Sequence, residues 1–280
     1  MDTRIFSIIF LAVSVVLQAA CSPSSGLEDK TPSTPPPIVT PPDDETDPGE
    51  RPVTPEDPDI EIQWTLDFEE NFDGTAVNTD NWSMYHSPGH AGNGLRRAEA
   101  FSVKDGCLVI TAKENEDGEI VSGGMAHKKN YLPVVKWEFR ARCENDPSKA
   151  MSGVVLTWPQ SEKWPDEGEL DIFETGTGHP RRPLHTFLHY GSDNRQLHMA
   201  HDVDATQWQE MALEWYEDAL VIYLNGEKVW TVTNEEVVPK WNHHICLQLD
   251  AFKTSLSGVV KMYVDYVRIY NGKIIKKTGK

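Results

Sequence analysis

Basic residues, long helical patterns and metal-binding clusters are all scarce in this chain. Its 280 residues carry 26 Lys and Arg against 44 Asp and Glu, a net charge of −18. No basic stripe is available to neutralise phosphates, which excludes nucleic acid as a partner. No H-E-x-x-H string and no Cys/His cluster is present, which removes structural zinc and a Cys/His nucleophile. No stretch with helical periodicity exceeds two turns, which excludes a helical bundle, and no internal repeat is visible. The length leaves room for one large domain or two small ones.

The apolar run Ile5–Leu17 falls short of the ~20 residues that a membrane-crossing helix needs. With Gln18-Ala19-Ala20 behind it, it reads as a signal peptide over residues 1–20. Ala-Ala-Cys also resembles a bacterial lipobox, with Gln18 where Leu is usual and Leu17 one place earlier. That resemblance implies an exported lipoprotein at the cell envelope, acylated on Cys21 and touching membrane through that anchor alone; simple secretion is the alternative. Residues 21–62 then form a Pro/acidic-rich spacer. Residues 22–62 hold 11 acidic and 2 basic side chains, and 11 of the 19 prolines fall there; such a stretch is extended and buries no core. Past Cys21, three cysteines remain at 107, 143 and 246, so any disulfide leaves one thiol over. An oxidising compartment permits a bridge without demanding one.

From residue 63 to 280 the pattern is β. Lys136–Arg142 alternates Trp137, Phe139 and Ala141 with charged residues. Gly106–Lys113, Gly153–Trp158, Leu184–Tyr190, Trp208–Tyr216, His244–Asp250 and Val259–Tyr270 read as further strands. Asn225-Gly226, between two apolar runs, predicts a hairpin with a type I′ turn. Many short strands predict an all-β sandwich or barrel.

The stretch with chemistry is Glu169-Leu170-Asp171-Ile172-Phe173-Glu174. Carboxylates alternating with large apolar side chains describe a half-buried strand, not a solvated acidic face. Glu169 and Asp171 share one face, whereas Glu174 lies an odd five positions on and would point away. One extra residue, a bulge around Ile172-Phe173, restores the parity. The two Glu α-carbons would then lie about four strand steps, roughly 13 Å, apart. Converging side chains bring their carboxyl groups to the ~5 Å that retaining glycoside hydrolysis requires.

This stretch, preceded by Trp164-Pro165-Asp166-Glu167-Gly168, resembles the E-x-D-x-x-E signature of glycoside hydrolase family 16, which includes laminarinases, lichenases and agarases. Leu66–Gly74 is similar to the family's F-x-D-E-F-x-G opening, Asn78–Trp82 to its L-D-x-x-x-W, and Met262–Tyr270 to its closing strand. The resemblance implies a concanavalin-like jelly-roll of two curved antiparallel sheets with a cleft on the concave face. It implies Glu169 as nucleophile, Asp171 as assisting carboxylate and Glu174 as general acid/base. It also implies that one of Arg96 and Arg97 reaches the cleft, the choice between them open, and that His189, on a strand shared with His185, runs beside the catalytic strand.

Sugar sites use aromatic platforms. Trp164 sits in a Gly/Pro/Asp-rich loop where an indole would be wasted as core, so it is read as a stacking residue; Trp158 is balanced between stacking and packing. No cofactor is required. Relatives often hold a structural calcium ion, for which Gly106 and Asp265 are the matching positions, although Asn71 stands where the family's opening has Glu. The expectation is a monomeric endo-glycosidase acting on a β-linked glucan or galactan. A non-catalytic sugar-binding jelly-roll and a transglycosylase are the alternatives; the former has no use for three carboxylates on one strand.

Overall fold

A computed structural model of the chain describes residues 60–276. The expectations for the signal peptide, for Cys21 and for most of the spacer fall outside those residues. In chain order the strands are β1 (Ile60–Glu70), β2 (Trp82–Met84), β3 (Ser87–Pro88), β4 (Leu95–Arg96), β5 (Phe101–Lys104), β6 (Cys107–Glu114), β7 (Ile120–Ser122), β8 (Gly124–His127) and β9 (Val135–Cys143). They continue with β10 (Met151–Pro159), β11 (Glu169–Glu174), β12 (Leu184–Tyr190), β13 (Arg195–His201), β14 (Gln209–Trp215), β15 (Leu220–Leu224), β16 (Glu227–Val232), β17 (His243–Ala251) and β18 (Val259–Lys276). Two single-turn 3-10 helices, His90–Gly92 and Ala98–Ala100, are the helical elements among the described residues.

The strands form a β-sandwich of the jelly-roll kind. One sheet of seven strands runs β13-β12-β11-β10-β17-β8-β2, and one of eleven runs β16-β15-β14-β9-β18-β6-β7-β4-β3, with β1 joined to β18 and β5 to β6. Pairing is antiparallel except between the two-residue β4 and β7. Period-two alternation explains the layering. On β9, Val135, Trp137, Phe139, Ala141 and Cys143 are buried while the residues between them are not. Phe139 meets Phe173 of β11 edge-on at 6.4 Å, tying the two sheets together. Trp215 of β14 stacks on Trp137 at 5.7 Å and gives its Nε1–H to the Pro239 carbonyl at 3.1 Å.

The hairpin expected at Asn225-Gly226 is present between β15 and β16, with φ of 50° and 83° at the two residues, as a type I′ turn requires. The domain begins earlier than its sequence suggests. Ile60, Glu61 and Ile62, which the sequence assigns to the spacer, pair with Lys276, Ile275 and Ile274. Trp64 packs over Gly272, where a Cβ would stand 2.7 Å from its ring. Cys107, Cys143 and Cys246 are free thiols.

Candidate active site

The site is built on β11, the third strand from the β13 edge of the seven-stranded sheet. Against β10, Val155 faces Phe173 and Leu156 faces Asp171, which leaves Ile172 as an extra residue. The register against β12 slips in the same place, between Asp171 and Glu174. The bulge turns Glu169, Asp171 and Glu174 into one cleft, while Leu170, Ile172 and Phe173 are fully buried on the core side. Each of those three apolar side chains contributes about 1.5–3 kcal/mol by leaving water, which anchors a strand that must also hold three carboxylates close together.

The cleft lies on the face of the seven-stranded sheet turned away from the core and has a volume of about 1080 Å³. Trp158, Trp164, Arg96 and His189 line it. The two indoles stack at 6.2 Å and 10°, and Trp164 is 41% exposed. Between the two arginines the structure selects Arg96. Its Nε and Nη2 both donate to Asp250 Oδ1, at 3.0 and 2.5 Å. Arg97 turns away instead, and its Nη1 donates to the carbonyls of Ser87 and Arg96. His185 faces His198, with Nδ1 and Nε2 2.9 Å apart.

A chain of polar contacts crosses the carboxylates. Asn194 Oδ1 lies 2.8 Å from His189 Nδ1 and fixes that nitrogen as the N–H. His189 Nε2 lies 3.2 Å from Asp171 Oδ2, and Asp171 shares a hydrogen bond with Glu169. Trp164 Nε1 donates to Glu169 Oε2 at 2.6 Å. Glu174 receives only a long contact, from the Ser152 hydroxyl at 3.5 Å.

Burial pushes Glu169 up to about 8, helped by the charge of Asp171. It pushes Glu174 up to about 7, helped by the charge of Asp250. Asp171 is raised by burial, then by Glu174 and Asp250. Three carboxylates crowded into one site therefore give up their protons less readily than free carboxyl groups and titrate as a group. The order of the two Glu values alone would leave Glu169 the more proton-rich. Trp164 donates closely to Glu169 whereas Glu174 has only the long Ser152 contact, so hydrogen bonding favours the charged form more at Glu169 than at Glu174.

The calcium expectation meets a different environment. Asp265 Oδ2 accepts from Arg140 Nη1 at 2.7 Å, and the neighbouring Cys107 thiol feels Asp265, Arg142 and Arg140 together. A carboxylate already claimed by one guanidinium and flanked by another does not fit a divalent cation. Among the described residues, the side-chain group able to hold a metal ion is instead Glu169, Asp171 and His189, whose ligand atoms lie within 4.8 Å of one another.

Sequence reasoning passed over Tyr85, Phe187, Gln248 and Asp250, all of which line the cleft. The alternation in His244–Asp250 marks a strand, but only its register against β10, with Gln248 opposite Val154 and Asp250 opposite Ser152, brings its polar face beside Glu174.

Residues 67–257 match the model of a family described as the 3-keto-alpha-glucoside-1,2-lyase-like domain. No curated protein sequence matches the chain. Among solved structures, the endo-β-1,3-glucanase of Pyrococcus furiosus is similar at 24% identity with a TM-score of 0.64, covering 77% of this chain and 99% of that one. The laminarinase catalytic domain of Thermotoga petrophila RKU-1 is similar at 21% identity and a TM-score of 0.65, covering 75% and 99%. A non-specific endo-β-1,3(4)-glucanase of family GH16 is similar at 21% identity and a TM-score of 0.65, covering 81% and 96%. At these identities the likeness shows the fold, which is that of the family-16 glucanases.

Proposed function

We propose that this chain, which belongs to the 3-keto-alpha-glucoside-1,2-lyase-like domain family, is a retaining endo-glycoside hydrolase that cleaves a β-linked polysaccharide by double displacement. The observation that carries this reading is the bulged strand, which sets three carboxylates in one cleft with a close hydrogen-bond donor on Glu169 and only a long one on Glu174.

Glu169, as the carboxylate that Trp164 hydrogen-bonds, attacks the anomeric carbon. Glu174 gives its proton to the departing glycosidic oxygen, so that bond breaks as the glycosyl–Glu169 ester forms. Glu174, now a carboxylate, takes a proton from water, whose oxygen displaces Glu169 from the sugar. Asp171, backed by His189 and Asn194, holds a proton against Glu169 and limits the repulsion between the two glutamates. Stacked Trp158 and Trp164 offer an apolar surface for a sugar ring beside the nucleophile.

A second reading follows from the family description, which names a lyase acting on a 3-keto-α-glucoside. Such a reaction removes the C2 proton beside the ketone and breaks the C1–O bond, leaving an enone. The His189–Asp171 pair, 3.2 Å apart, favours it as a base. Purified protein incubated with a polysaccharide panel and with a 3-keto-glucoside separates the two. New reducing ends on shortened chains support the hydrolase, and an enone absorbance with no chain scission supports the lyase. The amino-terminal expectation joins the proposal: export with a lipid on Cys21 would set the cleft at a cell surface, and Cys21→Ser should then move the protein from the membrane fraction to the soluble one.

A further inference from the structure

Arg181 does not line the cleft, and its side chain is fully buried. Its hydrogen-bond acceptors among the described residues are all neutral: three backbone carbonyls, one hydroxyl and one side-chain amide. A buried cation with no carboxylate beside it is costly to keep. What it supplies is a rigid fork of donors, able to reach several chain segments at once in a way that the single ammonium of Lys is not.

The segments it joins are those on either side of Glu174. Nη1 donates to the Met151 carbonyl at 2.7 Å, to the Thr175 hydroxyl at 3.1 Å and to the Gly176 carbonyl. Nε donates to the Glu144 carbonyl at 2.9 Å, which ties the fork to the end of β9. The backbone of Arg181 is fastened too, its N–H to Asn145 Oδ1 at 3.2 Å and its carbonyl by the Ala205 N–H at 2.9 Å. Thr175 and Gly176 follow Glu174 directly, and Met151 precedes Ser152, whose hydroxyl is the contact of Glu174 at 3.5 Å. The Thr175 hydroxyl has no capacity left: it accepts from Arg181 and from the Gly153 N–H at 2.9 Å, and donates to the Gly176 carbonyl at 3.2 Å. β11 ends at Glu174, and its ladder with β10 closes on the Val154–Glu174 pair. The clamp therefore holds the chain where the ladder stops, one residue past Glu174. Glu169, at the other end of the strand, receives no bond from Arg181 and has Trp164 instead.

We propose that Arg181 is the positioning residue of Glu174, fixing its backbone so that the carboxyl group meets the departing glycosidic oxygen, without itself touching substrate. The inference rests on the glycosidase reading and deepens it by giving the acid/base a support separate from that of the nucleophile.

The test varies how much the leaving group needs a proton. A 2,4-dinitrophenolate departs unprotonated, whereas a phenolate or a sugar alkoxide depends on the general acid. Probes are the 2,4-dinitrophenyl and phenyl β-glycosides of β-1,3- and β-1,4-linked glucose and galactose disaccharides, beside a β-1,3-glucan, a mixed-linkage β-glucan and a neutral galactan. Arg181→Lys keeps the charge and loses the fork. Its kcat/KM should fall about tenfold to a hundredfold on the phenyl glycoside and the polysaccharide, the scale of a misplaced catalytic group. On the dinitrophenyl glycoside it should stay within about threefold of wild type. Damage to the fold alone would lower both alike, and circular dichroism and melting temperature are followed in parallel. Should Arg181→Lys not fold, Thr175→Val carries the test: it removes the hydroxyl that Arg181 grips and should show the same split at about threefold to tenfold. Thr175→Ser, which keeps that hydroxyl, should restore wild-type rates. Equal losses on both leaving groups, or no loss on either, overturn the positioning role and leave the hydrolase intact. A wild type that shortens no polysaccharide and releases neither phenol overturns the glycosidase reading and this role with it.

Discussion

Trp164 Nε1 sits 2.6 Å from Oε2 of Glu169, so one indole both lines the cleft and holds the carboxylate proposed as the nucleophile. Stacking and charge placement are thereby joined in a single side chain.

Two substitutions separate those roles. Trp164→Phe keeps a ring and deletes the N–H; kcat should fall about tenfold, the worth of one charge-assisted hydrogen bond, with KM little changed. Trp164→Ala removes both, so KM should rise as well. Steady-state kinetics on one active polysaccharide checks the pair, and an unaltered kcat in Trp164→Phe would remove the indole from charge placement.

Glu169→Gln and Glu174→Gln should each lower turnover by about a hundredfold to ten-thousandfold, and Asp171→Asn by less. Circular dichroism should remain that of the wild type, because Leu170, Ile172 and Phe173 still anchor β11. A glutamate variant that retained near-native turnover would end the catalytic assignment.

Stability should fall as pH rises. Glu169 and Glu174 start from 4.5 and are raised to about 8 and about 7 in the folded chain. Raised values favour the native state fully below 4.5, and that contribution is lost as pH climbs through 7 and 8. The melting temperature should therefore drop across this window, and Glu169→Gln should melt on the order of a few degrees above wild type at its alkaline end. Thermal scans at stepped pH give the answer; a glutamine variant that tracks wild type throughout would contradict the crowded-carboxylate picture.

Asn194 has φ of 53° and orients His189 through Nδ1 at 2.8 Å. Asn194→Gly keeps that backbone and removes the orienting oxygen. The imidazole can then turn away from Asp171, and turnover should fall about tenfold with a changed pH profile. A pH–rate profile identical to wild type would show that the orientation of His189 has no part in the reaction.

The carboxylate-bearing strand β11 was legible because its logic is local. Three carboxylates, three apolar residues and a parity mismatch within six positions require a bulge, and Ile172 is that extra residue. The Asn225-Gly226 hairpin was legible for the same reason. What escaped depends on distant partners. Arg96 is distinguished from Arg97 only by Asp250, 154 residues away. Ile60–Ile62 look like spacer until they pair with Ile274–Lys276. Gln248 reads as one polar position in an alternating strand, and its place in the cleft is a property of the fold alone.

The central claim is that Glu169 and Glu174 act in double displacement, and the stereochemistry of the first product tests it most directly. Retention requires the carboxyl groups to lie about 5–5.5 Å apart, whereas inversion needs roughly 6.5–9.5 Å and an intervening water. Six residues of one bulged strand leave little room for the wider spacing. Proton NMR of the earliest products from a β-linked polysaccharide should show the β-anomer first, with the α-anomer growing in later by mutarotation. An α-anomer seen first would contradict both the covalent intermediate and the roles given to Glu169 and Glu174.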